Sequence, residues 1–260
     1  MEKSSAQVNI LGVKVDILDV ETLHTHIYNE VTSRNHSLIL HVNVNGLNLA
    51  YENKWLRDYL NHAKLVFCDG AGVMIGAKLL GSSIRQRITY ADWMWQLAEF
   101  AENQKLSLFL LGSKPGVSKK AAVCLKDRFK DLMIVGYHHG YFDKSNGHEA
   151  NDIVIKEINA AKPNILVVGF GMPIQEKWFM ENWDRIDAEV GLTGGAVFDY
   201  VSGELKRAPM ILTNNGFEWL GRLFIEPMRL WKRYLIGNPI FFLRVLKQRF
   251  GIETYDAIID

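Results

Sequence analysis

Short apolar runs alternate with amphipathic segments along most of this chain. The apolar runs lack turn residues and have the length of buried strands, whereas apolar positions in the amphipathic segments recur every three or four residues, as in helices. The runs predict strands at Ser37–Val42, Lys64–Cys68, Leu106–Leu111, Met133–Tyr137, Asn164–Val168 and Glu189–Leu192. The segments predict helices near Val20–Ser33, Leu47–Leu60, Gly72–Leu80, Ala91–Asn103, Val117–Lys130, Glu149–Ala161 and Gln175–Trp183. This alternation indicates an α/β fold in which a parallel sheet carries helices on both faces.

The two ends of the chain depart from this alternation. Val8–Ile17 alternates apolar and polar residues around a glycine, which predicts a β-hairpin. Near the C-terminus, Phe217–Phe250 is rich in aromatic residues and carries seven Lys or Arg against two Glu, a net charge of +5. Pro227 and Pro239 stand where helices begin and divide this tail into short helices. We therefore predict a core at residues 1–214 and a helical appendage at residues 215–260.

The last predicted helix, Pro239–Phe250, has an apolar and a polar side. The apolar side consists of Phe241, Phe242, Val245 and Leu246. The opposite side consists of Arg244, Lys247 and Gln248. A basic amphipathic helix of this kind is typical of proteins that lie on anionic membrane surfaces. The alternative is that the C-terminal helices pack on the sheet and leave their basic residues solvated.

Turn residues and polar side chains follow all six predicted strands. They form the segments His41–Asn43, Asp69–Gly70, Gly112–Gly116, Gly140–Phe142, Gly169–Gln175 and Thr193–Asp199. The carboxyl ends of parallel strands share one edge of the sheet, and ligands of α/β folds bind at that edge. These segments therefore predict a binding cleft.

Asp69 has two interpretations at this edge. A carboxylate directly after a buried strand either caps the next helix by accepting backbone N–H bonds or acts as a general base toward a substrate hydroxyl. The neighbouring glycines admit a ligand at close range, and the remaining polar strand ends favour the catalytic interpretation.

The glycine-rich turns indicate a phosphate ligand without identifying it. Gly112–Gly116 precedes a helix whose free N–H groups suit a phosphate, but the turn lacks the ending of a Walker motif. Gly169–Gly171 lacks the third glycine of a dinucleotide fingerprint, which disfavours an oxidoreductase. The histidines have no metal-site spacing and no Asp-x-Asp motif occurs, so any diphosphate must be neutralised by cationic side chains and backbone dipoles. The candidates are Arg87, Lys206 and Arg207, each of which is otherwise a solvated surface charge.

Composition narrows the class and the compartment. The 260 residues are 48% hydrophobic and 23% charged, with a net charge of +1, which is ordinary for a soluble domain and argues against a nucleic-acid-binding protein that is basic throughout. Cys68 and Cys124 form no paired motif, which favours a reducing compartment. The sequence shows no signal peptide and no membrane-spanning run, so we expect a cytoplasmic protein.

Several of these segments, taken in order, resemble one family. The motifs are FCDGAGV, RITYADW, LLGSKPGV, GYF, GFGMPIQEKW, GGAVFDYVSGELKRAP and GFEWLGRLFIEPMRLWKRYL, together with the strand that ends at Asn43. From about Val8 to Tyr234 the chain is similar to the WecG/TagA/CpsF family of bacterial glycosyltransferases. The resemblance implies a Rossmann-like parallel sheet of the GT-E type, with helices on both faces, and a C-terminal helical appendage that binds the membrane.

The resemblance also implies an activity. It implies an inverting transfer from a UDP-sugar, with neither a metal nor another cofactor, in the synthesis of a cell-surface polymer. The implied acceptor is a saccharide on a polyprenyl diphosphate at the inner face of the bacterial membrane, where the protein would be peripheral. The expected partners are thus the donor, the acceptor and an anionic membrane surface, with no nucleic acid and with a homo-oligomer left open.

The resemblance assigns roles to individual residues. Asp69 matches the catalytic base, and His41 beside it is a second catalytic candidate. The residues expected to bind substrate are Asn43, Arg87, Gly112, Gly140, Tyr141, Gly171, Gln175, Asp199, Arg207, Arg222, Arg229 and Arg233. Of these, Asp199 suits ribose hydroxyls. The three appendage arginines would share one side of a helix if the helix continues past Pro227, and from there they would neutralise diphosphates.

His41 departs from part of the family. Teichoic-acid members have threonine at this position, and the histidine form is associated with exopolysaccharide glucosyltransferases, so the resemblance favours glucose as the sugar. The alternatives are UDP-N-acetylmannosamine or UDP-N-acetylmannosaminuronic acid, for teichoic acid or common antigen. An alternative of another class is a membrane-associated protein that binds a UDP-sugar without turnover.

Overall fold

A computed structural model describes residues 6–207 and 218–255. These residues form two compact units. Unit 1 consists of the residues up to Asp19, His41–Thr89 and the residues from Lys206 onward, and unit 2 consists of Val20–Leu40 and Tyr90–Leu205. No helix among the described residues combines the length and the apolar content that a membrane span needs. The predicted domain boundary after residue 214 lies outside the described residues and stays a prediction.

Strands and helices alternate as the sequence predicts. The strands are β1 (Gln7–Ile10), β2 (Val13–Asp16), β3 (Ser37–Val42), β4 (Leu65–Cys68), β5 (Ser107–Gly112), β6 (Met133–His138), β7 (Ile165–Gly169) and β8 (Val190–Thr193). The helices are α1 (Val20–Thr32), α2 (Val44–Glu52), α3 (Lys54–His62), α4 (Ala71–Leu79), α5 (Tyr90–Gln104), α6 (Val117–Arg128), α7 (Glu149–Ala161), α8 (Ile174–Asn182), α9 (Val197–Val201), α10 (Glu218–Ile225), α11 (Pro227–Trp231) and α12 (Gly237–Arg249). A 3₁₀ turn occupies Trp183–Arg185, and a π-helical turn at Lys232–Ile236 joins α11 to α12.

The strands form two sheets. β1 and β2 pair antiparallel as the predicted hairpin. The other strands form a six-stranded sheet in the order β4-β3-β8-β7-β5-β6, and the pairs β3–β8, β8–β7, β7–β5 and β5–β6 are parallel. Every residue of β5 and β7 is buried, because these strands lie inside a sheet that is flanked by helices. The predicted α/β fold with a parallel sheet is confirmed.

One predicted helix is wrong in its extent. The predicted helix Leu47–Leu60 is two helices, α2 and α3, which are separated at Asn53. The backbone of Asn53 is extended, with φ −123° and ψ 102°. Both its N–H and its side-chain amide donate to the Leu49 carbonyl, each at 2.8 Å. A short amide side chain that bonds to the backbone in this way ends a helix, which periodicity alone does not reveal.

The last helix belongs to the core of unit 1. Phe241 and Val245 of α12 are completely buried, and a Cβ placed on Gly76 of α4 would lie only 2.7 Å from Phe241 Cζ. The side chain of Gln248 accepts a hydrogen bond from Leu11 N at 2.8 Å and donates one to Asn9 O at 2.9 Å. The expectation that all four apolar residues of this helix face a membrane is therefore wrong for Phe241 and Val245, because α4 offers them a closer apolar surface.

The tail also differs from its predicted division at prolines. Pro227 is the first residue of α11, as expected for a residue without an N–H group. Pro239 does not begin a helix, because α12 starts two residues earlier, at Gly237, directly after the π-helical turn. Pro239 is tolerated there because it lies in the first turn of α12, where backbone N–H groups are not needed for the helix.

Candidate active site

The ends of β3 and β4 bring two polar side chains together in unit 1. The N–H of Asp69, directly after β4, donates to the carbonyl of Val42 at 2.8 Å, which aligns the two strand ends. Asn43, the next residue after β3, caps α2 by accepting a hydrogen bond from Gly46 N at 3.1 Å. The Asn43 side chain also hydrogen-bonds to the carboxylate of Asp69. That carboxylate is thus held in one orientation while its side chain remains 22% exposed.

Asp69 does not cap the following helix. The N-cap of α4 is Gly70, which has φ 108° and no side chain that could cap. A positive φ of this size suits glycine and turns the chain sharply away from the end of β4. Of the two interpretations of Asp69, the structural cap is therefore wrong, and its carboxylate is available for chemistry.

Burial and positive charge act on Asp69 in opposite directions. Burial raises the pKa of the Asp69 carboxyl above its usual value. Three cations and the Asn43 amide lower it in part, and the cations, in decreasing order of effect, are Arg222, Arg233 and Arg87. The result is a carboxylate that is a stronger base than an exposed one and that faces several arginines. This arrangement can accept a proton beside an anionic ligand.

The arginines reach Asp69 from separate segments of unit 1. Arg87 is held near the end of β4 because the N–H of the next residue, Ile88, donates to Cys68 O at 3.1 Å. Arg222 lies on α10 and Arg233 lies in the π-helical turn. Burial lowers the pKa of the Arg233 guanidinium. Three of the predicted cationic residues therefore converge on the predicted base.

Arg229 does not join this group. Its guanidinium bonds to Glu226 at 2.6 Å, its side chain is 63% exposed, and its charge lowers the pKa of Arg233, whereas the main influences on Asp69 are Arg222, Arg233 and Arg87. Glu226, with φ −129° and ψ 58°, interrupts the helix between α10 and α11. The hypothesis that three appendage arginines share one side of a continuous helix is wrong for this reason. Arg207 is half-buried next to the exposed Lys206.

His41 is the neighbour of Asp69 inside the fold. Its Nε2 atom lies 4.0 Å from Asp69 Oδ2, which is too long for a hydrogen bond, and its side chain is 4% exposed. The ring packs against Phe67, with 5.9 Å between ring centroids. The structure thus places both predicted catalytic residues side by side, with Asp69 the more accessible of the two.

A second group of predicted residues lies at the carboxyl ends of the strands in unit 2. Gly112 ends β5 so close to β7 that a Cβ atom would lie 2.4 Å from Gly169 O. The backbone N–H of Ser113, the next residue, donates a hydrogen bond to Gly169 O at 3.2 Å. The backbone carbonyl of Ser113 accepts a hydrogen bond from Gly140 N at 2.7 Å. Its φ of 57° is uncommon for a residue other than glycine. Such strain often marks a functional turn.

Ser113 also holds Asp199, a link that the sequence did not reveal. The Ser113 hydroxyl donates to Asp199 Oδ1 at 2.8 Å. Asp199 lies on α9, a five-residue helix that the sequence analysis had treated as a turn. The only signal in the sequence was a serine directly after a strand and a glycine. The bond gives the predicted ribose-binding carboxylate a fixed position.

The turn after β6 is held by a lysine that the sequence analysis did not select. Lys144 bonds to the carbonyl of Gly140, and its ammonium lies 4.6 Å from the ring centroids of both Phe142 and Phe170. Burial lowers the pKa of the Lys144 ammonium. Tyr141, within this turn, is 65% exposed, as a substrate-binding tyrosine would need to be.

Gln175 lies at the start of α8 but is not on the surface. It is completely buried, and its Oε1 accepts hydrogen bonds from Gly171 N at 3.1 Å and Gly195 N at 3.0 Å. Its Nε2 donates to Glu176 Oε1 at 2.8 Å. The structure therefore joins Gln175 to Gly171, as expected of neighbours in one site, with its amide directed at protein groups.

Acidic, histidine and cysteine side chains are dispersed. Across residues 6–207 and 218–255, no three of them are grouped closely enough to hold a metal ion. Burial raises the pKa of the Cys68 thiol, which leaves it un-ionised beside Asp69. Asp69 and the arginines around it are therefore the main charged groups at this strand end.

Comparison with known proteins identifies the family to which this chain belongs. The family described as "Glycosyl transferase WecG/TagA/CpsF family" matches residues 8–254. Relatives from Staphylococcus aureus strains MRSA252, NCTC 8325 / PS 47 and COL are each named N-acetylglucosaminyldiphosphoundecaprenol N-acetyl-beta-D-mannosaminyltransferase. Each is 29% identical over 256 residues, which cover 96% of this chain and 96% of the relative. Because the family match spans nearly the whole chain, this protein belongs to the WecG/TagA/CpsF family and is a glycosyltransferase.

Proposed function

We propose that this protein transfers N-acetylmannosamine from its UDP-activated form to an N-acetylglucosamine that is linked through a diphosphate to a polyprenyl lipid. The support is the shared name of relatives that are similar over almost the full length of the chain. The same names favour this alternative over the glucose donor and exopolysaccharide product that His41 suggested, and they do not mention a uronic acid. Family membership favours an enzyme over a binding protein without turnover.

The observation that carries the chemistry is the carboxylate of Asp69 among arginines. In the proposed reaction, Asp69 removes the proton from an acceptor hydroxyl while that oxygen attacks the anomeric carbon. The attack occurs on the face opposite the bond to UDP, so the anomeric configuration inverts. The bond from carbon to diphosphate breaks, and UDP leaves with the electron pair. The transition state resembles an oxocarbenium ion, as in glycoside hydrolysis.

The arginines around Asp69 have two effects in this proposal. Arg222, Arg233 and Arg87 lower the pKa of Asp69 and so offset part of the increase that burial causes. They also carry the positive charge that a departing diphosphate requires, since preorganised cations are worth more in a partly buried site than in water. The proposed reaction therefore needs no divalent metal, and the dispersed acidic side chains are compatible with this.

Unit 2 by itself contains groups that suit a nucleoside. Asp199 accepts a hydrogen bond from Ser113 through Oδ1, and we assign its other oxygen to a ribose hydroxyl. Gly112 and Gly140 keep the two turns near this carboxylate closely packed, since a Cβ would lie 2.4 Å from Gly169 O at the first and 2.8 Å from the Phe170 ring at the second. Tyr141 is exposed enough to stack on a base.

The C-terminal segment has the surface of a peripheral membrane protein. Large apolar side chains remain exposed there, at Phe224 (75%), Met228 (87%), Leu235 (56%), Leu243 (61%) and Phe250 (75%). Basic side chains accompany them, at Arg229, Lys232 and Arg249. Each basic residue near an anionic bilayer contributes about 1 kcal/mol, and the apolar side chains add insertion energy. We propose that this surface contacts the inner face of the membrane, where a polyprenyl acceptor is anchored.

A donor panel tests the proposal. The full chain is incubated with vesicles that contain an N-acetylglucosaminyl diphospholipid, and UDP release and the glycolipid product are measured with UDP-N-acetylmannosamine, UDP-glucose and UDP-N-acetylmannosaminuronic acid. We expect transfer from UDP-N-acetylmannosamine only, and only when the acceptor is present. Transfer from UDP-glucose alone would overturn the assignment of the sugar. Tight UDP binding without turnover on any donor would overturn the assignment of the reaction.

A further inference from the structure

A buried glutamine and glutamate join two turns of unit 2. Gln175 and Glu176 are the second and third residues of α8, and both are completely buried. Gln175 Oε1 accepts hydrogen bonds from Gly171, in the turn after β7, and from Gly195, in the turn after β8. Gln175 Nε2 donates to Glu176 Oε1 at 2.8 Å. The side-chain pair therefore connects the ends of two neighbouring strands.

The chemistry of these groups permits one orientation of the Gln175 amide. Backbone N–H groups only donate, so the atom that faces Gly171 N and Gly195 N must be the amide oxygen. The NH₂ group then points to Glu176 Oε1, which accepts its hydrogen bond. A rotated amide would place donors against donors and an oxygen against a carboxylate. Glu176 thus favours the same orientation of the Gln175 amide as the two backbone N–H groups.

The fold keeps Glu176 at a site that is unfavourable for a carboxylate. Burial raises the pKa of Glu176 to about 7, against the opposing effect of the bond from Gln175 and of its own backbone amide. Its Oε2 atom is buried and has no hydrogen-bond partner among the described residues. A leucine or methionine at this position would pack without that penalty. The carboxylate is therefore explained by its bond to Gln175 rather than by packing.

The two turns lead directly to the residues proposed for the donor. Gly195 is followed after one residue by α9, which carries Asp199. The carbonyl of Gly169, at the end of β7, accepts the N–H of Ser113, whose hydroxyl bonds to Asp199. A shift of either turn would move the Asp199 carboxylate relative to its serine partner.

We infer that Glu176 is a positioning residue, which orients the amide of Gln175 and thereby holds the Gly171 and Gly195 turns in the shape that binds the donor. The inference rests on the proposed function for the identity of the donor. Gln175 then acts through the backbone of these turns, rather than by lining the donor site as the family resemblance implied. A carboxylate at position 175 would accept from both glycines but would face Glu176 as a second buried carboxylate.

A charge swap provides the test. In Gln175→Glu, two buried carboxylates meet, and they repel each other in an assay at a pH well above the pKa of Glu176, where the pair does not share a proton. In Glu176→Gln, the new side chain still offers an oxygen to Gln175. In the double variant, Glu at 175 accepts from both glycines and from the amide of Gln at 176, so every hydrogen bond is restored with donor and acceptor exchanged. Glu176→Met removes the acceptor without adding charge. Glu181→Gln, on the same helix and paired with Lys177 at 3.7 Å, is the matched control.

Each variant is assayed by steady-state kinetics with UDP-N-acetylmannosamine and by hydrogen exchange of peptides that contain Gly171 and Gly195. We expect Gln175→Glu to raise the KM for the donor about 10- to 100-fold, the usual effect of losing a hydrogen bond to a charged group. The KM for the acceptor, and kcat at saturating donor, should stay near those of wild type. Both turns should exchange faster. Glu176→Met should give a smaller change in the same direction.

The remaining variants decide the interpretation. Glu176→Gln and Glu181→Gln should stay within about threefold of wild type, and the double variant should regain most of the donor affinity that Gln175→Glu loses, as expected when the hydrogen bonds are restored. A double variant as impaired as Gln175→Glu would overturn the inference. Wild-type kinetics and wild-type hydrogen exchange in Glu176→Met would also overturn it. Glu176→Met thus keeps the inference testable if Gln175→Glu does not fold. If the wild-type protein neither binds nor transfers the donor, the proposed function fails. In that case, the hydrogen exchange rates of the peptides that contain Gly171 and Gly195 decide whether Glu176 orients Gln175.

Discussion

Replacement of Asp69 by asparagine tests the proposed base most directly. The substitution keeps the shape of the side chain and an oxygen that accepts the hydrogen bond from Asn43, and the backbone bond to Val42 is unaffected. It removes the group that takes the proton. Loss of a general base lowers kcat by roughly 10²–10⁴-fold, which corresponds to about 2.7 to 5.4 kcal/mol of transition-state stabilisation.

The structure also predicts the sign of two side effects. Arg222, Arg233 and Arg87 lose the carboxylate that partly neutralised them, so an anionic donor should bind as well as before or more tightly. The folded-state pKa of Asp69 is raised, so its contribution to stability is complete below the unfolded pKa and is lost as the pH rises through the folded pKa. At neutral pH the wild type carries this penalty and the asparagine does not. The variant should therefore melt no lower than the wild type.

The assay is steady-state UDP release with an acceptor in vesicles, together with UDP binding and thermal melting. Asp199→Asn is the control, and we expect it to raise the KM for the donor more than it lowers kcat. A variant of Asp69 with kcat within threefold of the wild type would show that Asp69 is not the base and would direct attention to His41. A much lower melting temperature would show that Asp69 has a structural role.

Further predictions concern the arginines, the metal, the C-terminal helices and His41. Arg222→Gln should move the acidic limb of the pH profile of kcat/KM to higher pH, because loss of this cation raises the pKa of Asp69 further. Arg229→Gln should leave this limb in place, since Arg229 is exposed and paired with Glu226. The same shift of the limb in both variants would contradict the role of Arg222. Activity should survive EDTA, and a complete loss that one divalent ion restores would refute the account based on arginines. Phe241→Ala should lower the free energy of unfolding by about 3–5 kcal/mol, measured with urea, because the ring is completely buried. Met228→Ala, at an exposed position, should change stability by less than about 0.5 kcal/mol while weakening binding to anionic vesicles; the reverse ranking would place the membrane contact elsewhere. His41→Thr should alter turnover or the preference between donors, and unchanged kinetics with a lower melting temperature would identify His41 as a core residue only.

The burial of α12 changes how the role of the tail is to be tested. A truncation after Asn214 was the obvious experiment from the sequence, since the remaining core was expected to fold. The structure shows that truncation would remove Phe241 and Val245 from the core of unit 1 and would break the bonds of Gln248 to the hairpin. Two fully buried apolar side chains contribute about 3 to 6 kcal/mol, a large share of the stability of a typical domain. Point substitutions of exposed residues therefore separate membrane binding from folding more cleanly.

Local patterns in the sequence determined much of the fold and part of the site. Apolar strands such as Ser37–Val42 are recognisable because burial on both faces of a sheet requires continuous apolar residues. The order of strands and helices implied a parallel sheet, and that in turn placed Asp69 and Asn43 at the same edge, because both follow the carboxyl end of a strand. Each of these inferences uses residues that are close in the chain or at equivalent ends of neighbouring strands.

Contacts between distant residues decided the rest. The sequence shows an apolar side on α12, but it does not show that Phe241 packs against Gly76, a residue of another helix. It shows three arginines at helical spacing, but the break at Glu226 brings Arg222 to Asp69 and leaves Arg229 exposed. It shows Gln175 in a polar motif, but its partner Gly195 lies in a turn that no local periodicity connects to α8. Hydrophobic periodicity reports which side of an element avoids water, whereas the packing of separate elements determines which group that side meets.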